Sequence, residues 1–131
     1  MDLIVCVDDK MGMAFNKRRQ SRDRVLCEDI LKLTAGESIG MAEKSAMLFA
    51  EQGGNFITDA SPEDCRYYFL EFTPPSALSV KPERIILYRW NRHYPADVRF
   101  DIDLQVYDLM ETVEFPGSSH ELITREVYVH E

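Results

Sequence analysis

The sequence predicts a single-domain α/β protein built on a mixed sheet, with central parallel strands, about two main helices and a closing antiparallel hairpin. Three observations carry this. Leu3-Ile4-Val5-Cys6-Val7 is an unbroken apolar run of strand length, the pattern of a strand covered on both faces. Two segments of helical periodicity follow it, and the last third alternates around one Pro-Gly turn. At 131 residues and 45% hydrophobic content the chain can enclose one core and is too short for two ordinary domains, so residues 1–131 are read as one.

The first strand is broken by Asp8-Asp9-Lys10-Met11-Gly12, where a glycine suits either a positive φ or the close approach of another group; a loop is expected to follow. From Arg22 to about Leu33, Val25, Leu26, Ile30 and Leu33 recur at helical intervals opposite Arg24, Glu28, Asp29 and Lys32. Ser21 is the expected N-cap, with Asp23 in the first turn favouring the positive end of the helix dipole and Gly36 closing the helix. A second helix is expected over about Ala42 to Gln52, terminated by Gly53-Gly54. Asn55 to Thr58, Arg66 to Leu70 and Arg84 to Trp90 read as strands. Pro74-Pro75 ends the second of these and leaves room for only a short helix near Ser76 to Val80. Val106 to Phe115 and Ile123 to His130, joined by Pro116-Gly117-Ser118-Ser119, form the predicted hairpin at a sheet edge.

Charge is unevenly placed. The formal net charge is -8, yet positions 17–24 hold five of the fifteen Lys and Arg residues. An acidic surface opposes general nucleic-acid binding, because phosphate repulsion acts over the whole molecule. Cleavage or binding of RNA through Lys17 to Arg24 would need stacking aromatics as well, and Phe15 alone supplies one. A local basic pocket for a small anion is compatible with the acidic whole, and Arg18, Arg19, Arg22 and Arg89 are its candidate ligand-binding residues, since a loop at the carboxyl end of a strand is where α/β sheets usually bind ligands. Arg89 and Trp90 must face opposite sides if one strand runs through both.

Residue type and spacing argue against several other chemistries. Cys6, Cys27 and Cys65 are widely separated in apolar surroundings and are expected to be reduced and buried, Cys27 on the core side of its helix. His93, His120 and His130 lack metal-ligand spacing, so no metal is expected. A zinc-dependent ribonuclease would need a His-x-His-x-Asp-His cluster, and a metallohydrolase reading fails on that ground. Ser119-His120 sits in a predicted turn and is no nucleophile elbow. No apolar run approaches a membrane span and the start lacks a basic leader, so the expected location is cytoplasmic, without a membrane partner.

In order along the chain, Leu3 to Asp8 with Gly12-Met13, Glu37-Ser38-Ile39-Gly40-Met41, Ile85-Ile86-Leu87-Tyr88, Pro95 to Phe100, and Glu114-Phe115 through Ser119-His120 to Glu126-Val127-Tyr128 resemble dihydrofolate reductase over nearly the whole length, as a divergent and shortened relative. The resemblance implies that fold, and it points to Asp23 as the carboxylate that would fix a pterin and relay its proton. It also locates the departures. Lys17-Arg18-Arg19-Gln20 stands where the family has a Pro-Trp pair, and Ala42-Glu43-Lys44-Ser45 where it has Gly-Arg-x-Thr. Phe69 to Pro75 stands where a Gly-Gly turn lies against the pyrophosphate, and about one β-α unit is missing from the middle. Neither Glu71 nor Phe72 permits that backbone approach, Glu43 would repel a phosphate, and arginines on both sides of Asp23 would lower its pKa where a proton donor needs one nearer neutrality.

The expectation is therefore a pseudoenzyme: a dihydrofolate reductase-like protein with a degenerate NADPH site and no cofactor, which binds a small anionic ligand or a partner. The alternative is an NADPH-dependent reductase of a folate or pterin that uses Asp23 as its acid.

Overall fold

The computed structural model describes residues 1–130. Its main sheet has seven strands: β1 (Asp2–Val7), β4 (Ile39–Gly40), β5 (Phe56–Ile57), β6 (Tyr67–Phe69), β7 (Arg84–Arg89), β9 (Tyr107–Phe115) and β10 (Ile123–His130). Their spatial order is β5-β4-β6-β1-β7-β10-β9. The first five run parallel, and β10 and β9 close the sheet antiparallel. A small second sheet joins β2 (Gly12–Phe15) to β3 (Arg18–Arg19) and β8 (Val98–Arg99). The mixed sheet and the hairpin are as the sequence predicts.

The apolar run of β1 is central because it has parallel neighbours on both edges and core on both faces. Ile4 packs with α1 (Arg24–Leu33) through Leu26, Cys27 and Ile30, together with Phe49, Phe69 and Tyr88. Leu3, Val5 and Val7 face the opposite cluster, with Met13, Ile85, Leu87 and Phe100. Each fully buried Leu or Ile here contributes about 1.5–3 kcal/mol relative to exposure.

Several boundaries differ from expectation. The second helix is α2 (Glu43–Ala46), which tightens into a 3-10 turn over Met47–Phe49 and buries Leu48 and Phe49. Between β6 and β7 there is only a 3-10 turn, Pro75–Ala77, in place of the short helix expected near Ser76 to Val80. The expected loop after β1 is a β-hairpin: β2 turns at Asn16 and Lys17, with φ of 51° and 61°, into β3. Gly12 serves close approach rather than positive φ, since a Cβ there would lie 2.5 Å from that of Ala96. The N-cap of α1 is Asp23, not Ser21; its carboxylate accepts from the N–H groups of Val25 and Leu26.

Among the described residues, no helix is long and apolar enough to cross a membrane.

Candidate functional site

The start of α1 and the β9–β10 turn meet around Asp23. Its side chain is fully buried, and Oδ1 takes the two capping N–H groups at 2.9 and 3.2 Å. Ser118 N–H donates to Oδ1 at 3.0 Å, Ser119 N–H to Oδ2 at 2.8 Å, and His120 Nδ1 lies 3.1 Å from Oδ2. The serine hydroxyls add further donors to the same oxygens. Burial by itself would push the carboxyl up. The N–H groups of Ser118 and Ser119, then His120 and Leu26, outweigh it and hold Asp23 well below its ordinary 3.8. The flanking arginines expected to do this are not among the chief causes: Arg24 pairs with Glu28 at 2.6 Å, and Arg22 makes no side-chain hydrogen bond among the described residues.

With Asp23 ionised against Nδ1, that nitrogen carries the proton and the Nε2 of a neutral ring is left as an acceptor. Two hydroxyls reach it, Ser21 Oγ at 3.1 Å and Tyr94 OH at 2.9 Å. His120 is buried and stacks on Trp90 with ring centroids 4.6 Å apart. Gly117 permits the turn to close on Asp23: a Cβ there would collide with Oδ2 and lie 2.8 Å from Ile123 Cδ1.

Ser21 opens into a cavity of about 370 Å³ lined by Arg18, Arg19, Ser21, Arg22 and Lys44. A second cavity, of about 380 Å³, shares Arg22 and continues past Arg24 and Cys27 to the 3-10 turn at Met47 and Leu48. The predicted basic residues are thus partly gathered. Arg18 and Arg22 line the first cavity without an ion pair among the described residues. Arg19 is held bidentate by Glu71, Nε to Oε2 and Nη2 to Oε1, each at 2.9 Å, and this hydrogen bonding raises its pKa. Arg89 lies apart, bound to Glu126 at 2.7 Å and reaching Met11 Sδ at 3.6 Å. It shares the Leu87 face of β7, whereas Trp90 packs in the core beneath α1, so the two do face opposite sides.

The positions that depart from the reductase pattern are occupied by side chains. Beyond β6, Glu71 is pinned by Arg19, and the Phe72 ring carries Arg19 Cζ at 5.8 Å and Lys44 Nζ at 4.3 Å from its centroid. Lys44 also donates to the Lys17 carbonyl in the β2–β3 turn. Glu43, expected to face a phosphate, is exposed and lines neither cavity.

Nearby, Asp8 is buried and accepts the N–H groups of Lys10, Gly12 and Tyr94 at 2.9, 2.7 and 3.0 Å. Burial raises its pKa, but those backbone donors outweigh it and leave a net lowering. The three cysteines are free; Cys27 and Cys65 are buried as expected, and Cys6 is partly buried. Burial pushes Cys27 up to about 11, the opposite of an activated thiol. Among the described residues no cluster of His, Cys, Asp and Glu has the form of a metal site.

Sequence reading missed Ser21, Lys44, Tyr94 and His120 as site residues. Ser21 and His120 are 99 positions apart, and only the closing of the C-terminal hairpin onto the start of α1 brings them together.

No family model and no curated protein matches this sequence. The structure is similar to that of dihydrofolate reductase from Enterococcus faecalis complexed with NADP(H) and RAB-propyl, with a TM-score of 0.66, 11% identity, and 99% of this chain and 95% of that chain covered. Sheet order, hairpin and overall likeness together establish a dihydrofolate reductase-like fold carried by a strongly divergent sequence.

Proposed function

We propose that this protein binds a small, multiply charged anion in the Arg18–Arg22–Lys44 cleft and is not a working dihydrofolate reductase. The observation that carries the reading is the pair of guanidinium groups, Arg18 and Arg22, which line one cavity without a carboxylate partner among the described residues in a molecule of net charge -8. In such a molecule exposed cations are readily neutralised, and two left unpaired at one concavity attract an anion locally. Lys44 adds a third charge from α2.

Two features speak against reductase chemistry. Asp23 is saturated with donors and held ionised, so it has no proton to give a pterin near neutrality. The Glu71–Arg19 and Phe72–Lys44 contacts fill the space beyond β6 that a pyrophosphate would need, and the prolines that follow offer no N–H. The reductase alternative draws on the fold likeness alone. A steady-state assay addresses it: dihydrofolate-dependent loss of NADPH absorbance, abolished in Asp23→Asn, would restore it.

Calorimetric titration with tripolyphosphate tests the anion site. The expected result is one site per chain, weakened at least about tenfold by each of Arg18→Ala and Arg22→Ala, because a charge-assisted contact is worth roughly 1.5–3 kcal/mol. Binding that is absent, or indifferent to both substitutions, would overturn the assignment.

A further inference from the structure

We propose that Ser21, His120 and Asp23 form a nucleophilic triad that cleaves carboxylic esters carrying an anionic group. This rests on the reading of the adjoining cleft as an anion site and adds a reaction to it.

The geometry has the three relations such a device requires. The base must touch the nucleophile, and His120 Nε2 is 3.1 Å from Ser21 Oγ. The base must be oriented by a buried carboxylate, and Asp23 Oδ2 is 3.1 Å from Nδ1 with both side chains almost wholly inaccessible. The nucleophile must face a space a substrate can occupy, and Ser21 is a partly exposed residue on the wall of the basic cavity. Asp23 remains ionised, which fixes the Nδ1–H tautomer and stabilises the imidazolium formed in the reaction. The indole of Trp90 lies against the same ring. Arg18 and Arg22 flank Ser21, placed to hold the anionic group and to offset negative charge on the carbonyl oxygen.

In the first step Ser21 Oγ bonds to the ester carbonyl carbon and its proton passes to His120 Nε2. The bond from that carbon to the alkoxy oxygen breaks, and the departing oxygen takes the proton from Nε2, leaving an ester on Ser21 and a free alcohol. Water then adds to the same carbon, giving a proton to Nε2. The bond to Oγ breaks, and Oγ recovers the proton as the acid leaves. The sum is ester plus water to acid plus alcohol, with no change of oxidation state. Tyr94 OH shares Nε2 with Ser21, at 2.9 Å.

The test uses the full chain with a fluorophosphonate label, and with two esters, 4-nitrophenyl hydrogen glutarate and neutral 4-nitrophenyl acetate. Intact mass and peptide mapping are expected to place one label on Ser21. Glutarate ester turnover is expected to exceed the acetate's and to fall at least about 100-fold in Ser21→Ala. Because His120 is buried and its replacement risks unfolding, the decisive variant is the partly exposed Ser21→Ala, with circular dichroism showing that it keeps its fold. A folded wild-type protein that takes no label at Ser21, or takes it at Ser118, Ser119 or Tyr94, overturns the triad. Failure of the triad with tripolyphosphate still bound leaves the anion site standing; labelled Ser21 with equal turnover of both esters supports the nucleophile and overturns the preference for anionic esters.

Discussion

Asp23 does three jobs with one carboxylate: it caps α1, it clasps the β9–β10 turn, and it orients His120. Its donors come from the start of α1 and from the β9–β10 turn, and the carboxylate is fully buried, so removing it deprives both segments of their shared acceptor and leaves the buried Leu26 N–H and His120 unpartnered. Asp23→Ala should cost about 3–5 kcal/mol, read as a lower urea midpoint, and an unchanged midpoint would contradict its role as a hub. The folded carboxyl titrates below its ordinary 3.8, so its stabilisation is complete above that value and is lost as pH falls through the folded pKa. Acid unfolding of the wild type should therefore begin below about pH 4, and Asp23→Asn, already deprived of the charge, should show a shallower decline in stability over the same range. In the sequence Asp23 stood out as a helix-start residue and, through the family resemblance, as a proton-relay carboxylate, but not as a clasp on the C-terminal hairpin. Its hydrogen bonds to Ser118 and Ser119 span 95 and 96 positions, and no local pattern reports such a contact. Gly117 has the same origin: Gly117→Ala should destabilise by about 1–3 kcal/mol by driving a methyl group into Asp23 and Ile123, and thermal melting measures it.

Elements with strong local patterns were legible. The β9–β10 hairpin and β7 fall close to their expected limits, because alternation, β-branched content and the Pro-Gly turn all agree there. The β2–β3 hairpin was hidden, since its turn residues Asn16 and Lys17 lack the glycine that usually marks a turn with two positive φ angles. A lysine in that conformation is strained, so Lys17→Gly should stabilise the protein by about 0.5–1 kcal/mol, seen as a higher melting temperature. A lower one would show that the stem of Lys17 contributes more than its backbone costs. The second helix was overextended because periodicity cannot distinguish an α-helix from one that tightens into a 3-10 turn to bury adjacent Leu48 and Phe49.

Across the whole molecule, a reductase-like sheet presents a basic cleft where an Arg19–Glu71 pair and a Phe72–Lys44 stack fill the space beyond β6. The basic run was visible in the sequence, but its division was not: Arg18 and Arg22 line the cleft, Arg19 is consumed by Glu71, and Arg89 is engaged with Glu126. Sequence spacing records charge, whereas pairing depends on which strands become neighbours. Tripolyphosphate affinity should fall steeply with added salt, because Arg18, Arg22 and Lys44 are exposed and screening acts on them fully. The most direct test of the account is an equilibrium titration of the wild-type protein with NADPH, followed by nicotinamide fluorescence. The account predicts no saturable change beyond weak, salt-sensitive binding that disappears in Arg18→Ala/Arg22→Ala. Tight, stoichiometric binding that survives both substitutions would contradict it.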